Sequence, residues 1–420
     1  MVGVGNTTGD GPDVAGATPM SDPVDRETAV SRLRSWFRSH DPAGTAAQIG
    51  AAEIAGRTVA EPVVAPADVP ARPFATMDGF ALASDDTQPR PVEGGVAPED
   101  DPEGLTAGAA VRIATGAPLP DGADAVVPVE ASTVVDGALT TDAPAPGTNV
   151  FPSGATAAAG DTLFEAGERL SPRHASLLAD VGIDRVAVRP RRSAAVLATG
   201  TEIAAGEQPD RDSAMLANVL RRWGCDPAVL DPVPDDAGRV ADAIAEAADR
   251  FDFVVTAGGT SVGAGDHVGA ALADTDRLGG DLLFDAVALR PGRPTTAAVV
   301  DGTLVCAFPG KPLAAHKAAT LVLRPAMTGE HGTATVSATA ASFVDLPDGP
   351  GAYAVPVHLR DGRAVPAGQG TDSASLYETR FRPGRVSSST RCTLADGLAV
   401  REEPIERGEP VAVTPYEVIE

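Results

Sequence analysis

Four loops rich in glycine or proline carry the side chains best suited to chemistry. The apolar run 253–256 leads into Ala257-Gly258-Gly259-Thr260-Ser261-Val262-Gly263-Ala264-Gly265-Asp266. Glycines let a backbone turn sharply and aim N–H groups at an anion, Thr260 and Ser261 add hydroxyl donors, and a helix start beyond the loop adds its dipole. Asp266 closes the run, where it would hold a cation or orient a phosphate through one. A second loop, Thr199-Gly200-Thr201-Glu202, follows the apolar run 194–198. Two such loops from parallel strands flank one cleft, which makes Glu202 and Asp210 candidate acids beside it; the plain alternative for Asp210 is a solvated helix cap. The third loop, Phe308-Pro309-Gly310-Lys311-Pro312, holds one of only two lysines in the chain, which favours a ligand contact. The fourth, Arg290-Pro291-Gly292-Arg293-Pro294, sets two guanidinium forks three residues apart, a spacing that suits a tetrahedral oxyanion. Met77-Asp78-Gly79-Phe80 and Thr115-Gly116-Ala117-Pro118 are weaker signals taken alone. His267, His316, His331 and His358 show no metal spacing, and no Walker or Gly-x-Ser-x-Gly run occurs. The chemistry expected is electrostatic and metal-assisted.

The elements that must position these loops read as an α/β domain over 191–328. Strand-type runs at 194–198, 228–230, 253–256, 286–289, 295–300 and 303–307 alternate with helical patterns at 213–223, 239–250 and 312–323. That alternation predicts a doubly wound parallel sheet with ligands at the carboxyl ends of its strands. Short β-type runs between Pro/Gly/Asp clusters predict a β-rich inserted module over 71–148, and runs after 329 predict a small all-β domain with no further helices. The flanks 22–70 and 149–190 read as a discontinuous linker domain. Its first helix is expected to start with Asp22 as N-cap and Pro23 at N1, and a short helix is expected over 170–181. Residues 1–21 read as a disordered tail.

Composition narrows the partners. The 420 residues include 33 basic and 58 acidic side chains, a net charge of −25. Nucleic acid and anionic membrane surfaces are therefore poor partners, and a site for small anions must be built locally. No apolar run approaches the ~20 residues of a membrane span. Cys225, Cys306 and Cys392 fit no paired spacing, so a reducing cytoplasm is the expected compartment. Acidity with so little lysine points to concentrated salt as the solvent, where the Debye length falls to ~3 Å at 1 M; a merely acidic protein from a GC-rich genome is the alternative.

Several separated motifs in order make the chain recognisable. They are Ala75-Thr76-Met77-Asp78-Gly79-Phe80-Ala81, Val111-Arg112-Ile113-Ala114-Thr115-Gly116-Ala117-Pro118, Thr199-Gly200-Thr201-Glu202, the 258–266 loop, Arg290-Pro291-Gly292-Arg293-Pro294 and Pro309-Gly310. Over about 22–420 the chain resembles the molybdopterin molybdenumtransferase family, which includes MoeA and the gephyrin E-domain. The resemblance implies an enzyme that inserts molybdate or tungstate into adenylylated molybdopterin with release of AMP, using Mg²⁺. It implies an elongated homodimer with a C-terminal β-barrel domain, in which Asp78 and Thr115 face the cleft from the partner subunit. Asp210 and Asp266 match family acids that handle cation and nucleotide. Arg290 and Arg293 stand where the family has two molybdate-binding lysines, and Ser373 keeps a hydroxyl contact.

The departures motivate a second reading. Asn149-Val150-Phe151-Pro152-Ser153-Gly154-Ala155 lacks the family's arginine and acids, a helix acid is His174, Asp-Ser-Asn is Asp210-Arg211-Asp212, and an arginine early in the last domain aligns with Val355. A non-catalytic molybdopterin carrier that kept its phosphate loops would tolerate such changes.

Overall fold

The computed structural model describes residues 22–260, 267–273, 278, 280–329, 334–370 and 375–420; the 1–21 tail lies outside them. The chain forms two compact units, Thr45–Arg189 and the remainder.

In the larger unit a six-stranded sheet runs in the order Asp226–Val229, Ser193–Ala198, Phe253–Ala257, Thr303–Phe308, Thr296–Val300, Asp281–Phe284. The first four strands are parallel. Side chains alternate across the sheet. Ala194, Val196, Phe253, Val255, Leu304 and Cys306 face one core with the helices Arg26–Ser39, Ser213–Arg222 and Pro312–Ala318. Ala195, Leu197, Val254, Val305 and Ala307 face the other, with Ala237–Arg250 and His267–Ala273. Helices on both faces make the sheet doubly wound.

The sheet departs from all-parallel at one edge, where Thr296–Val300 is antiparallel to Thr303–Phe308. Asp301 (φ 47°) and Gly302 (φ 85°) form a two-residue turn. So short a link makes a hairpin, because a parallel pair needs a crossover of a dozen residues or more. The strand expected at 286–289 is only Leu289–Arg290, and it pairs with Ala352–Tyr353 instead.

The first helix starts later than its sequence suggests. Val24 is held extended by backbone bonds to Ala286 and Ala288, so Pro23 cannot be N1. Asp25 is the N-cap, its carboxylate accepting from the Thr28 N–H at 2.8 Å. The helix buries Ala29, Leu33, Trp36 and Phe37 against the central sheet, which takes it out of the expected linker segment.

Beyond the α/β sheet, five strands close into a ring: Ala352–Arg360, Arg363–Pro366, Val336–Ala340, Pro410–Pro415 and Gly397–Arg401, the last pairing back to the first. This is the small C-terminal barrel. Helices do not stop at 330, however: Pro383–Ser388 and Tyr416–Ile419 are both helical.

Lys317 is fully buried, and its Nζ donates to the Ala354 carbonyl at 2.7 Å. Burial pushes its pKa down from 10.5 to about 7. Above about pH 7 the unfolded chain then holds more protons than the folded one, so this lysine makes stability rise with pH up to its unfolded value. Lys317→Met is expected to remove that rise and to increase the melting temperature at neutral pH. Urea denaturation at pH ~7 and ~9.5 checks this, and a variant that keeps the wild-type slope would assign the proton elsewhere.

In the smaller unit the inserted sheet runs Ala125–Pro128, Gly79–Leu82, Ala110–Ile113, Arg90–Val96, Ala138–Thr141, Ser132–Val135. Segments before and after it pair with each other: Ala47–Gly50 with Arg185–Val188, Val63–Val64 with Thr162–Phe164, and Phe74–Ala75 with Val150–Phe151. The helix expected over 170–181 is shorter, His174–Asp180, and the Ser171 N–H points to His174 Nδ1 at 3.2 Å.

Candidate functional site

A cavity of about 530 Å³ opens at the carboxyl ends of Ser193–Ala198, Phe253–Ala257 and Thr303–Phe308. All four loops singled out in the sequence line it: Thr199, Gly200 and Glu202; Gly258, Gly259 and Thr260; Arg290 to Pro294; and Pro309, Gly310 and Lys311. Asp210 lines it as well.

Glycine is required where the loops meet. Gly258 has φ +96°, and a Cβ there would lie 2.5 Å from the Thr199 carbonyl oxygen. A Cβ on Gly310 would lie 2.8 Å from Gly258 Cα. The loops are also knitted together by backbone bonds: Thr199 N–H to Ala257 O, Gly200 N–H to Val233 O, and Gly258 N–H to Phe308 O. The Gly200 and Gly258 N–H groups are thus engaged within the protein. Hydroxyls remain for a ligand, since buried Thr199 Oγ1 and Thr260 Oγ1 have no partner. Thr201 exchanges two bonds with Asp235, which also lines the cavity.

The N-cap of the helix Ser213–Arg222 is Asp212, and Asp210 lies two residues before it, lining the cavity. Asp210 Oδ1 accepts from the Asp212 and Ser213 N–H groups, both at 3.0 Å. Asp212, which the sequence marked only as a departure, is 8% exposed, lines the cavity, and has an unpartnered Oδ1. Burial, aided by the Asp210 charge, pushes its carboxyl up to about 6. The two arginines differ. Arg290 Nη1 donates to Pro350 O at 2.9 Å and to Tyr353 Oη at 3.2 Å. Arg293 keeps a buried, unpartnered Nε. Lys311 Nζ lies 3.4 Å from Gly384 O.

Pro383, Gly384 and Ser387 from the barrel's short helix complete the wall. They lie some 70 residues from Lys311 along the chain, and no local pattern announces them. Ser261, Gly263, Asp266 and Ser373 lie outside the described residues. Among the described residues no group of three His, Cys, Asp or Glu is arranged to hold a metal. The donors that line the cavity from Glu202, Asp210, Asp212 and Asp235 are all oxygens, the set a hard divalent cation takes, and the orphaned Asp212 oxygen fits such a guest.

In the smaller unit Asp78 and Thr115 meet. Asp78 Oδ1 accepts from the Thr115 N–H at 2.7 Å and from its hydroxyl at 2.8 Å. These two bonds, with Arg112 assisting, hold the Asp78 carboxyl below its usual range. Gly79 lets the strands Gly79–Leu82 and Ala125–Pro128 approach, since a Cβ there would sit 2.1 Å from Val127 O. Thr115→Val should raise the Asp78 pKa in an NMR titration; an unchanged midpoint would contradict the assigned cause.

The departures have structural occupations. Phe151 stacks on Phe74 with centroids 4.9 Å apart, His174 packs beside Phe164, and Val355 is fully buried in the barrel.

Fold and cavity together define a doubly wound α/β protein with a loop-built cavity at its strand ends and a barrel appended. Residues 195–329 match the family described as a probable molybdopterin binding domain, and residues 24–182 match the MoeA N-terminal region, domains I and II. Molybdopterin molybdenumtransferase 2 of Mycobacterium tuberculosis is 34% identical over 283 residues, 63% of this chain and 70% of that protein. The Synechococcus elongatus molybdopterin molybdenumtransferase is 33% identical over 296 residues, 65% and 72% of the two chains. A crystal structure of a Pyrococcus horikoshii molybdopterin biosynthesis MoeA protein has a TM-score of 0.68 at 27% identity, covering 94% of this chain and 99% of that one. The chain belongs to the molybdopterin molybdenumtransferase family. It is a transferase of molybdenum cofactor biosynthesis.

Proposed function

We propose that this cavity inserts molybdate or tungstate into adenylylated molybdopterin and releases AMP. The observation that carries the reading is the convergence of four loops, spread over more than 100 residues, on one cavity with unpartnered buried groups at Thr199, Thr260, Asp212 and Arg293. The loops at 199–202 and 258–263 cradle the phosphate of the pterin through hydroxyls. Arg293, with Lys311 and Ser373, holds the oxyanion while the two dithiolene sulfurs attack its metal; two metal–sulfur bonds form, and one oxo group leaves as water with the two thiol protons. Asp210 and Asp266, with Glu202, would hold Mg²⁺. When bound, that cation neutralises phosphate charge and favours cleavage of the phosphoanhydride. In a homodimer the Asp78–Thr115 pair of a second copy would complete the cleft. The four-domain division at 70/71, 148/149, 190/191 and 328/329, a cytoplasmic location and adaptation of the acidic surface to concentrated salt belong to the same reading.

Chelation tests the cation's part. EDTA is expected to stop AMP release while adenylylated molybdopterin stays bound. Undiminished AMP release in EDTA would remove the cation from the account.

A further inference from the structure

We infer that the two arginines divide the work: Arg293 meets the oxyanion, and Arg290 is a positioning residue that ties barrel segment 347–353 to the cavity rim. The inference rests on the molybdate reading above. Arg290 is held from several sides. Its Nη1 donates to Pro350 O and to Tyr353 Oη, and its guanidinium lies 5.6 Å from the Tyr353 ring centroid. Tyr353 in turn donates its hydroxyl to Pro347 O at 2.8 Å. The segment is shaped around the guanidinium. Gly349 has φ +136°, and a Cβ there would lie 2.9 Å from Nη1 and 3.0 Å from Nη2. A Cβ on Gly351 (φ +93°) would lie 2.2 Å from the Ala288 carbonyl oxygen. The strand Leu289–Arg290 pairs in parallel with Ala352–Tyr353, so backbone and side chain fasten the same segment.

Arg293 is different. It lines the cavity, and its buried Nε has no partner. A buried donor without a partner is costly unless a ligand meets it. A planar fork that stacks on a ring and serves two acceptors is also beyond a lysine ammonium. Arginine at 290 therefore has a local reason that does not involve the oxyanion. Lys311 repeats the arrangement more weakly, reaching Gly384 O on the barrel's other rim element.

The test compares Arg293→Lys, Arg290→Lys, Tyr353→Phe and the double variant Arg290→Lys/Tyr353→Phe. Tyr353 is not among the described residues that line the cavity. Arg293→Lys should raise the molybdate KM ~10-fold or more, with amide exchange at Gly351 and Ala352 unchanged. Arg290→Lys and Tyr353→Phe should each speed that exchange and lower kcat, with molybdate KM within ~2-fold of wild type and the double variant no worse than the worse single. The inference is overturned if Arg290→Lys raises molybdate KM as much as Arg293→Lys while Tyr353→Phe changes neither exchange nor kinetics. If the wild-type protein shows no molybdate-dependent turnover, the molybdate reading fails by itself. Exchange still judges the brace in that case, and unchanged exchange in Arg290→Lys overturns it.

Discussion

Gly258→Ala is expected to weaken molybdopterin binding by ~100-fold, because the added methyl must push the 199–202 and 258–260 loops apart and a displacement of ~1 Å at a positioned site has that cost. The Cβ would stand 2.5 Å from Thr199 O, and the left-handed φ of +96° adds strain of its own. Neither neighbour can yield cheaply. Thr199 is bonded to Ala257 O, the Gly258 N–H is bonded to Phe308 O, and Gly310 packs against Gly258 Cα. Gly206→Ala separates strain from crowding: Gly206 has φ +73° but nothing within 4 Å of its Cβ position. It should cost ~1 kcal/mol of stability and leave binding intact. Fluorescence titration with molybdopterin checks both variants, and equal affinity for Gly258→Ala and wild type would refute the packing argument.

Asp266→Ala should lower AMP release by ~1,000-fold or more, with fold and substrate binding retained, since a lost metal ligand removes several kcal/mol of charge stabilisation. One Asp210 oxygen already accepts the Asp212 and Ser213 N–H groups at the start of the helix Ser213–Arg222, which leaves only the other to offer. On the proposed reading the second cation ligand is Asp266, the acid that ends the glycine run. Single-turnover AMP release and circular dichroism read the two halves of the prediction. An unimpaired Asp266→Ala enzyme would end the metal role assigned to this residue.

Much of the larger unit could be read from its residues. Buried strands alternating with amphipathic helices announced the doubly wound sheet, and glycines after the strands announced the cavity rim. What escaped reading depended on contacts distant in sequence. Thr296–Val300 looks the same as a parallel strand in composition, and only the geometry of Asp301-Gly302 turns it around. Asp25 replaces Asp22 as the cap because Val24 is claimed by the 286–288 backbone. Asp212 could be seen as a departure but not as a buried carboxylate with an open oxygen. The barrel's Pro383–Ser388 helix reaches the cavity through tertiary packing alone. The motif resemblance assigns Asp78 and Thr115 to a cleft with the partner subunit, which spacing could not do; their shared pair of hydrogen bonds was not legible in the sequence.

In the proposed reaction the cavity couples oxyanion insertion to loss of the nucleotide. Pure protein incubated with adenylylated molybdopterin, Mg²⁺ and molybdate in concentrated KCl tests it most directly, with AMP followed over time. AMP release that requires molybdate and yields metal-loaded cofactor is the expected result. Tight binding of adenylylated molybdopterin with no AMP released, with or without molybdate, would contradict it and leave a carrier.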